Sequence, residues 1–239
     1  MWNKIKAIIF DYGGTIDTGG VHWSVVFWRA YQEHSVPITE EDFREAYVFT
    51  ERTLGKNPII QPNYTFRKTL EIKVRIQTEY LVSQGVWNCT DFERLSRVAQ
   101  IVETAYSTVV ATIARIRPAV ESLSKQLPLA LVSNFYGNMS VVLEEFGLSD
   151  LFTTVVESAV VGVRKPDARI FLIASERLGV RPDEILVVGD SYDKDICPAR
   201  KAGMHTAWLR VEGWIKAEPD SPECDVIIDE IDNLLKTNT

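Results

Sequence analysis

Five short apolar runs, each broken off by a polar residue, constrain this chain more than any other feature. They are IKAIIF before Asp11, LALV before Ser133, TTVV before Glu157, EILVVG before Asp190 and HTAWL before Arg210. Short branched runs of this kind suit strands buried on both faces, as in a parallel sheet. Helical patterns separate the last four, spanning 138–146, 167–178 and 193–202, and closed by Gly147, Gly179 and Gly203. A glycine just past a helix takes the left-handed conformation that ends it. Strands alternating with helices predict an α/β fold with an open parallel sheet and right-handed crossovers.

The rhythm fails between about Gly19 and Ile116. Amphipathic helical patterns fill this stretch, at 24–34, 40–54, 63–83 and 91–115. Thr39 and Thr90 stand as N-caps, with Asp42 and Glu93 three residues on as capping-box partners. The expected organisation is a core made of residues 1–18 and 117–239, with an all-helical insertion over 19–116. Arg117-Pro118 marks the point where the strand and helix alternation resumes.

Charge and cysteine usage narrow the partners. The 26 Lys and Arg residues against 33 Asp and Glu give a formal net charge of -7, which argues against a nucleic-acid or anionic-membrane surface as the main partner. Cys89, Cys197 and Cys224 are odd in number and show no metal-binding spacing, as in a reducing compartment. No apolar run approaches the roughly 18 residues of a membrane span, and Asp11 cuts the first run short of a signal sequence. The expected location is the cytoplasm.

In open parallel sheets, ligands bind beyond the carboxyl ends of the strands. Asp11, Ser133, Asn134 and Asp190 follow such ends, with Asp193 and Asp195 just beyond and Lys165 in the loop GVRKPDARIF. Asp11 and Asp190 suit a hard cation such as Mg2+, which favours oxygen ligands. Ser133, Asn134 and Lys165 suit the equatorial oxygens of a phosphoryl group in transfer. Asp11 then reads as a carboxylate nucleophile, forming an aspartyl-phosphate that water hydrolyses.

The segments IIFDYGGTIDT, LVSN, GVRKPDARIF and VVGDSYDKDICPARKAGM, in this order, resemble the four motifs of the haloacid dehalogenase-like (HAD) hydrolase superfamily. The resemblance implies a Rossmann-like core and Mg2+ as cofactor. It implies a nucleophile at Asp11, a phosphate-binding Ser133, a charge-stabilising Lys165 and a metal-binding Asp190. The backbone carbonyl of Gly13 becomes a metal ligand, and Asp195 matches the second acid of the fourth motif, as a ligand or one shell further out. The insertion matches a helical cap, and the implied partner is a small phosphorylated metabolite.

One position departs from the pattern. Phosphatases that this chain resembles carry a second Asp two residues after the nucleophile, as general acid and base. Here that position is Gly13. The departure leaves three alternatives beside a phosphatase: a phosphate-binding or regulatory protein without turnover, a dehalogenase-like enzyme, and a phosphonate-cleaving enzyme using a cap lysine such as Lys56, Lys68 or Lys73. His22, with an imidazole that titrates near neutrality, is a candidate substitute acid, although a hydrogen-bonded hinge residue is its plainer role. Asp17 reads as a structural hinge residue, and Asp167 as the N-cap of the helix that follows it.

Overall fold

The computed structural model describes residues 2–210 and 222–236. Each of the five apolar runs supplies a strand: β1 (Ala7–Phe10), β2 (Leu129–Ser133), β3 (Thr154–Glu157), β4 (Ile185–Gly189) and β5 (His205–Leu209). A sixth, β6 (Val226–Ile228), was not foreseen, being only three residues long and half-exposed. All pair in parallel, in the order β3-β2-β1-β4-β5-β6.

Alternation along the strands divides the core into two faces. Ile8, Phe10, Leu131, Leu186 and Val188 join one apolar cluster, while Ala7, Ile9, Val132, Ile185 and Val187 join another. Burial on both faces explains why these strands read as unbroken apolar runs. The chain builds outward from β1 through β2 to β3, then returns to place β4 on the other side of β1. The order therefore reverses between β1 and β4, where ligands bind in sheets of this kind.

Between β1 and β2 lie four helices, α1 (Trp23–Glu33), α2 (Glu40–Lys56), α3 (Phe66–Ser83) and α4 (Asp91–Ser124). Both foreseen capping boxes form, Thr39 with Asp42 and Thr90 with Glu93. Phe27, Tyr31, Phe43 and Leu70 fill the centre of this helical layer, with the Tyr31 and Phe43 rings 5.0 Å apart. The same apolar cluster continues along α4 into one face of the sheet.

One expectation about this region is corrected. The last helix was expected to end at Arg115, with a break at Arg117-Pro118, but α4 runs on to Ser124 with Pro118 inside it. Pro118 is exposed, so the carbonyl that loses its helical donor faces water, and Ile116, Ala119, Val120 and Leu123 stay buried on the inner side. The junction placed at 116/117 thus falls within one continuous helix.

The remaining helices are α5 (Met139–Glu145), α6 (Ser158–Val161), α7 (Arg169–Leu178), α8 (Cys197–Lys201) and α9 (Asn233–Lys236). Asp167 is not the N-cap of α7; that position is Ala168. The Asp167 carboxylate nevertheless accepts from the Arg169 N–H at 3.0 Å, so its capping chemistry is retained one residue early. No helix among the described residues is long and apolar enough to cross a membrane, and all three cysteines are free thiols.

Candidate active site

Asp11 follows β1 and Asp190 follows β4, so the two strands flanking the reversal of order deliver both carboxylates to one place. A backbone bond from Asp11 N–H to the Val188 carbonyl, 2.9 Å, ties the two ends together. The loop Tyr12–Ile16 then turns over Asp190. Gly14 is required there twice over. Its φ of +102° belongs to the left-handed region, and a Cβ at that position would overlap the Asp190 carboxylate. Thr15 Oγ1 donates to Asp190 Oδ1 at 3.1 Å, fixing the carboxylate from the same loop.

Lys165 reaches in from the loop between α6 and α7. Its Nζ donates to Asp11 Oδ1 and to Asp195 Oδ1, the latter at 2.6 Å, with all three residues buried. Burial works against the ammonium charge, but Asp11 and Asp195 outweigh it and hold the lysine protonated. Asn134 sets this lysine in place. Its Nδ2 donates to the Lys165 carbonyl at 3.0 Å and its Oδ1 accepts the Lys165 N–H at 2.9 Å. Expected as a phosphate ligand, Asn134 has its amide committed in part to this backbone clamp. Ser133, the last residue of β2, is buried and lines the same cavity.

Asp195 is fixed by its own loop, its Oδ2 accepting the Ser191 N–H at 3.0 Å. Gly189 makes room for it, since a Cβ there would run into the Asp195 side chain. Asp193 is exposed and takes no part.

Asp11, Asp190 and Asp195 present carboxylate oxygens within 4.8 Å of one another. Burial pushes the Asp11 carboxyl up to about 6, with Lys165 opposing the rise and Asp195 adding to it. Burial, then Asp11 and Asp195, push Asp190 well above the usual range. Three buried carboxylates against one ammonium leave an excess of negative charge, and buried charge is tolerated only when paired or bound to a cation. Hard oxygen donors in this number fit Mg2+. The Asp11, Asp190 and Asp195 carboxylates could hold such a cation, Asp195 being shared with Lys165.

Asp17 is buried beside this floor. Its Oδ1 accepts the Gly14 N–H and its Oδ2 the Trp23 indole N–H, both at 2.7 Å, so it joins the motif loop to α1 as a hinge residue would. Burial pushes its carboxyl up to about 7. His22 caps α1 by accepting the Ser24 N–H at 3.2 Å, and its Nδ1 also meets Ser24 Oγ at 2.6 Å. Burial, with Lys194 next, lowers its pKa, which keeps the ring neutral rather than poised as an acid near pH 7.

These groups open onto a cavity of about 580 Å3 between the sheet end and the helical insertion. On the insertion side, Lys73 Nζ pairs with Glu51 Oε1 at 2.8 Å, and Tyr136 donates to Glu51 Oε2 at 3.3 Å. Glu51 and Tyr136 carried no signal in the sequence, because their partners lie 22 and 85 residues away. Lys68 pairs with Glu71 instead and is not among the residues lining the cavity.

Comparison with known proteins agrees with this geometry. Over 211 residues the chain is 29% identical to haloacid dehalogenase-like hydrolase domain-containing protein 3 of Xenopus laevis, covering 80% of this chain and 85% of that one. It is 43% identical over 90 residues to glyceraldehyde 3-phosphate phosphatase of Methanopyrus kandleri, covering 38% of each. The chain thus spans less than two fifths of that phosphatase. A HAD-hydrolase of Bacillus subtilis, YfnB, solved bound to magnesium, superposes with a TM-score of 0.60 over 98% of both chains at 17% identity, a likeness of fold. The family model for haloacid dehalogenase-like hydrolases matches residues 5–203, a span that takes in Asp11, Ser133, Lys165, Asp190 and Asp195, and the chain belongs to that family.

Proposed function

We propose that this protein is a Mg2+-dependent phosphatase of small phosphomonoesters, working through an aspartyl-phosphate on Asp11. One observation carries the reading: Asp11 and Lys165 are in contact at the floor of a cavity that also takes in Ser133, with two further carboxylates beside them. The naming of the Methanopyrus relative as a phosphatase points the same way.

In the proposed reaction an Asp11 oxygen forms a bond to phosphorus as the bond to the leaving oxygen breaks, and the leaving group departs with the electron pair. Lys165 and the Ser133 hydroxyl hold the phosphoryl oxygens, and Asn134 keeps Lys165 in position. Bound Mg2+ supplies neutralisation of charge between carboxylate and phosphate. Water then cleaves the acyl phosphate and frees Asp11. The side chain at Gly13 offers no proton to the leaving oxygen, so that oxygen departs unassisted.

Residues 19–116 serve as the cap that selects the substrate. Three free thiols fit a reducing cytoplasm. The test is a panel of phosphomonoesters assayed with Mg2+ and with chelator: Mg2+-dependent release of phosphate supports the reading, and its absence for every activated ester, with Mg2+ and phosphate still bound, identifies a binding protein instead.

A further inference from the structure

The charges around the cavity are sorted by position. At its floor, four carboxylates, those of Asp11, Asp17, Asp190 and Asp195, face one ammonium, Lys165. Towards the outer wall the balance reverses. Lys73 is neutralised by Glu51, but Lys56, Arg164 and Lys194 also line the cavity, and none of these three forms an ion pair among the described residues.

The three cations come from separate parts of the chain. Lys56 is the last residue of α2, Arg164 precedes Lys165, and Lys194 lies in the loop after β4. A guanidinium nitrogen of Arg164 comes within 3.7 Å of where a Cβ on Gly55 would stand, which sets Arg164 against the end of α2. A helix C-terminus carries only about half a negative charge, less than two cations and far less than three. In a protein of net charge -7, three exposed cations that line one cavity without an acidic partner among the described residues suit an anion that is not part of the chain.

We infer that the preferred substrate carries a second anionic group on its leaving portion, a carboxylate or a second phosphate, received by Lys56, Arg164 and Lys194 while the transferring phosphoryl group occupies the floor. The inference rests on the phosphatase reading and names its substrate class.

Aryl esters test it without a need for a general acid. 3-Carboxyphenyl phosphate is compared with 3-carbamoylphenyl phosphate, a neutral ester of the same shape, and 1,3-phenylene bisphosphate with 3-hydroxyphenyl phosphate. The amide withdraws electrons more strongly than the carboxylate, so leaving-group chemistry alone favours the neutral ester. The expected kcat/KM is about tenfold higher for at least one anionic ester than for its neutral partner, the size given by one or two partly exposed ion pairs. The arm that shows the preference identifies the anion. The preference falls with added salt and disappears in the Arg164→Gln, Lys194→Gln double variant. Equal kcat/KM within both pairs, or a preference unchanged in the double variant, overturns the inference. If no ester is hydrolysed, the phosphatase reading fails separately, and calorimetric binding of the same pairs decides: tighter binding of an anionic ester by wild type alone supports the inference, and equal affinities overturn it.

Discussion

Oδ2 of Asp17 lies 4.0 Å from the point where a Cβ on Gly13 would stand. Gly13 itself has φ −79° and ψ 107°, angles that any residue adopts. The position therefore accepts a side chain without strain, and a carboxyl placed there meets a neighbour whose own pKa already lies at about 7. Repulsion between the two favours a shared proton. Gly13→Asp is expected to raise kcat/KM for alkyl phosphates by at least about tenfold, towards the 10²- to 10⁴-fold that acid catalysis supplies, with a smaller gain for aryl phosphates. Paired assays of an alkyl and an aryl ester check this; equal gains for both would show that protonation of the leaving group is not what Gly13 lacks.

Asn134 acts through Lys165. Asn134→Ala removes both bonds to the Lys165 backbone, and each neutral hydrogen bond contributes about 1 kcal/mol. The expected result is a fall in kcat of roughly tenfold with Mg2+ affinity unchanged, since Asn134 touches none of the three carboxylates. A Mg2+ titration of activity, fitted for both constants, separates the two. A weakened Mg2+ constant with kcat intact would place Asn134 in the metal site.

Asp11, Asp17 and Asp190 all hold protons more tightly than in an unfolded chain, Asp11 to about 6 and Asp17 to about 7. The folded state thus keeps protons that the unfolded chain releases near pH 4, and stability of the metal-free protein falls as pH rises from about 4 to 7. Mg2+ binds the ionised forms, so its stabilising effect grows over the same range. Thermal midpoints at pH 5 and 7.5, in chelator and in Mg2+, test both signs. A metal-free midpoint that rises between these two values contradicts the buried excess of carboxylate charge.

Lys73 stays protonated, because the nearby Glu51 and tyrosines outweigh the effect of burial. An ammonium does not attack a carbonyl, so this lysine is unfit to form the Schiff base of a phosphonate-cleaving enzyme. Borohydride added with an aldehyde-bearing phosphonate is expected to leave Lys73 unmodified; a mass adduct mapped to Lys73 would restore that role for it.

The five main strands and both capping boxes were legible because each is written locally, in runs of adjacent residues or in pairs three apart. The cluster of Asp11, Lys165, Asp190 and Asp195 was legible for a different reason: Asp11 and Asp190 follow strands that a parallel sheet sets side by side, and Lys165 and Asp195 stand in the motif segments on which the family resemblance rests. What escaped was set by tertiary contact. Pro118 signals a helix end, yet buried Ile116, Ala119 and Val120 carry α4 past it. Glu51, Lys73 and Tyr136 meet only once α2, α3 and the loop after β2 are packed. The role of Asn134 as a clamp depends on a loop 31 residues away.

The proposed reaction requires that Asp11 attack phosphorus in a site that needs Mg2+. Release of 4-nitrophenol from 4-nitrophenyl phosphate, measured for wild type and Asp11→Asn with Mg2+ and with chelator, decides whether it does. The expected result is turnover by wild type with Mg2+ alone, and a loss of roughly 10³-fold or more in the variant. Undiminished turnover in Asp11→Asn, or a wild-type rate indifferent to chelator, would rule that reaction out.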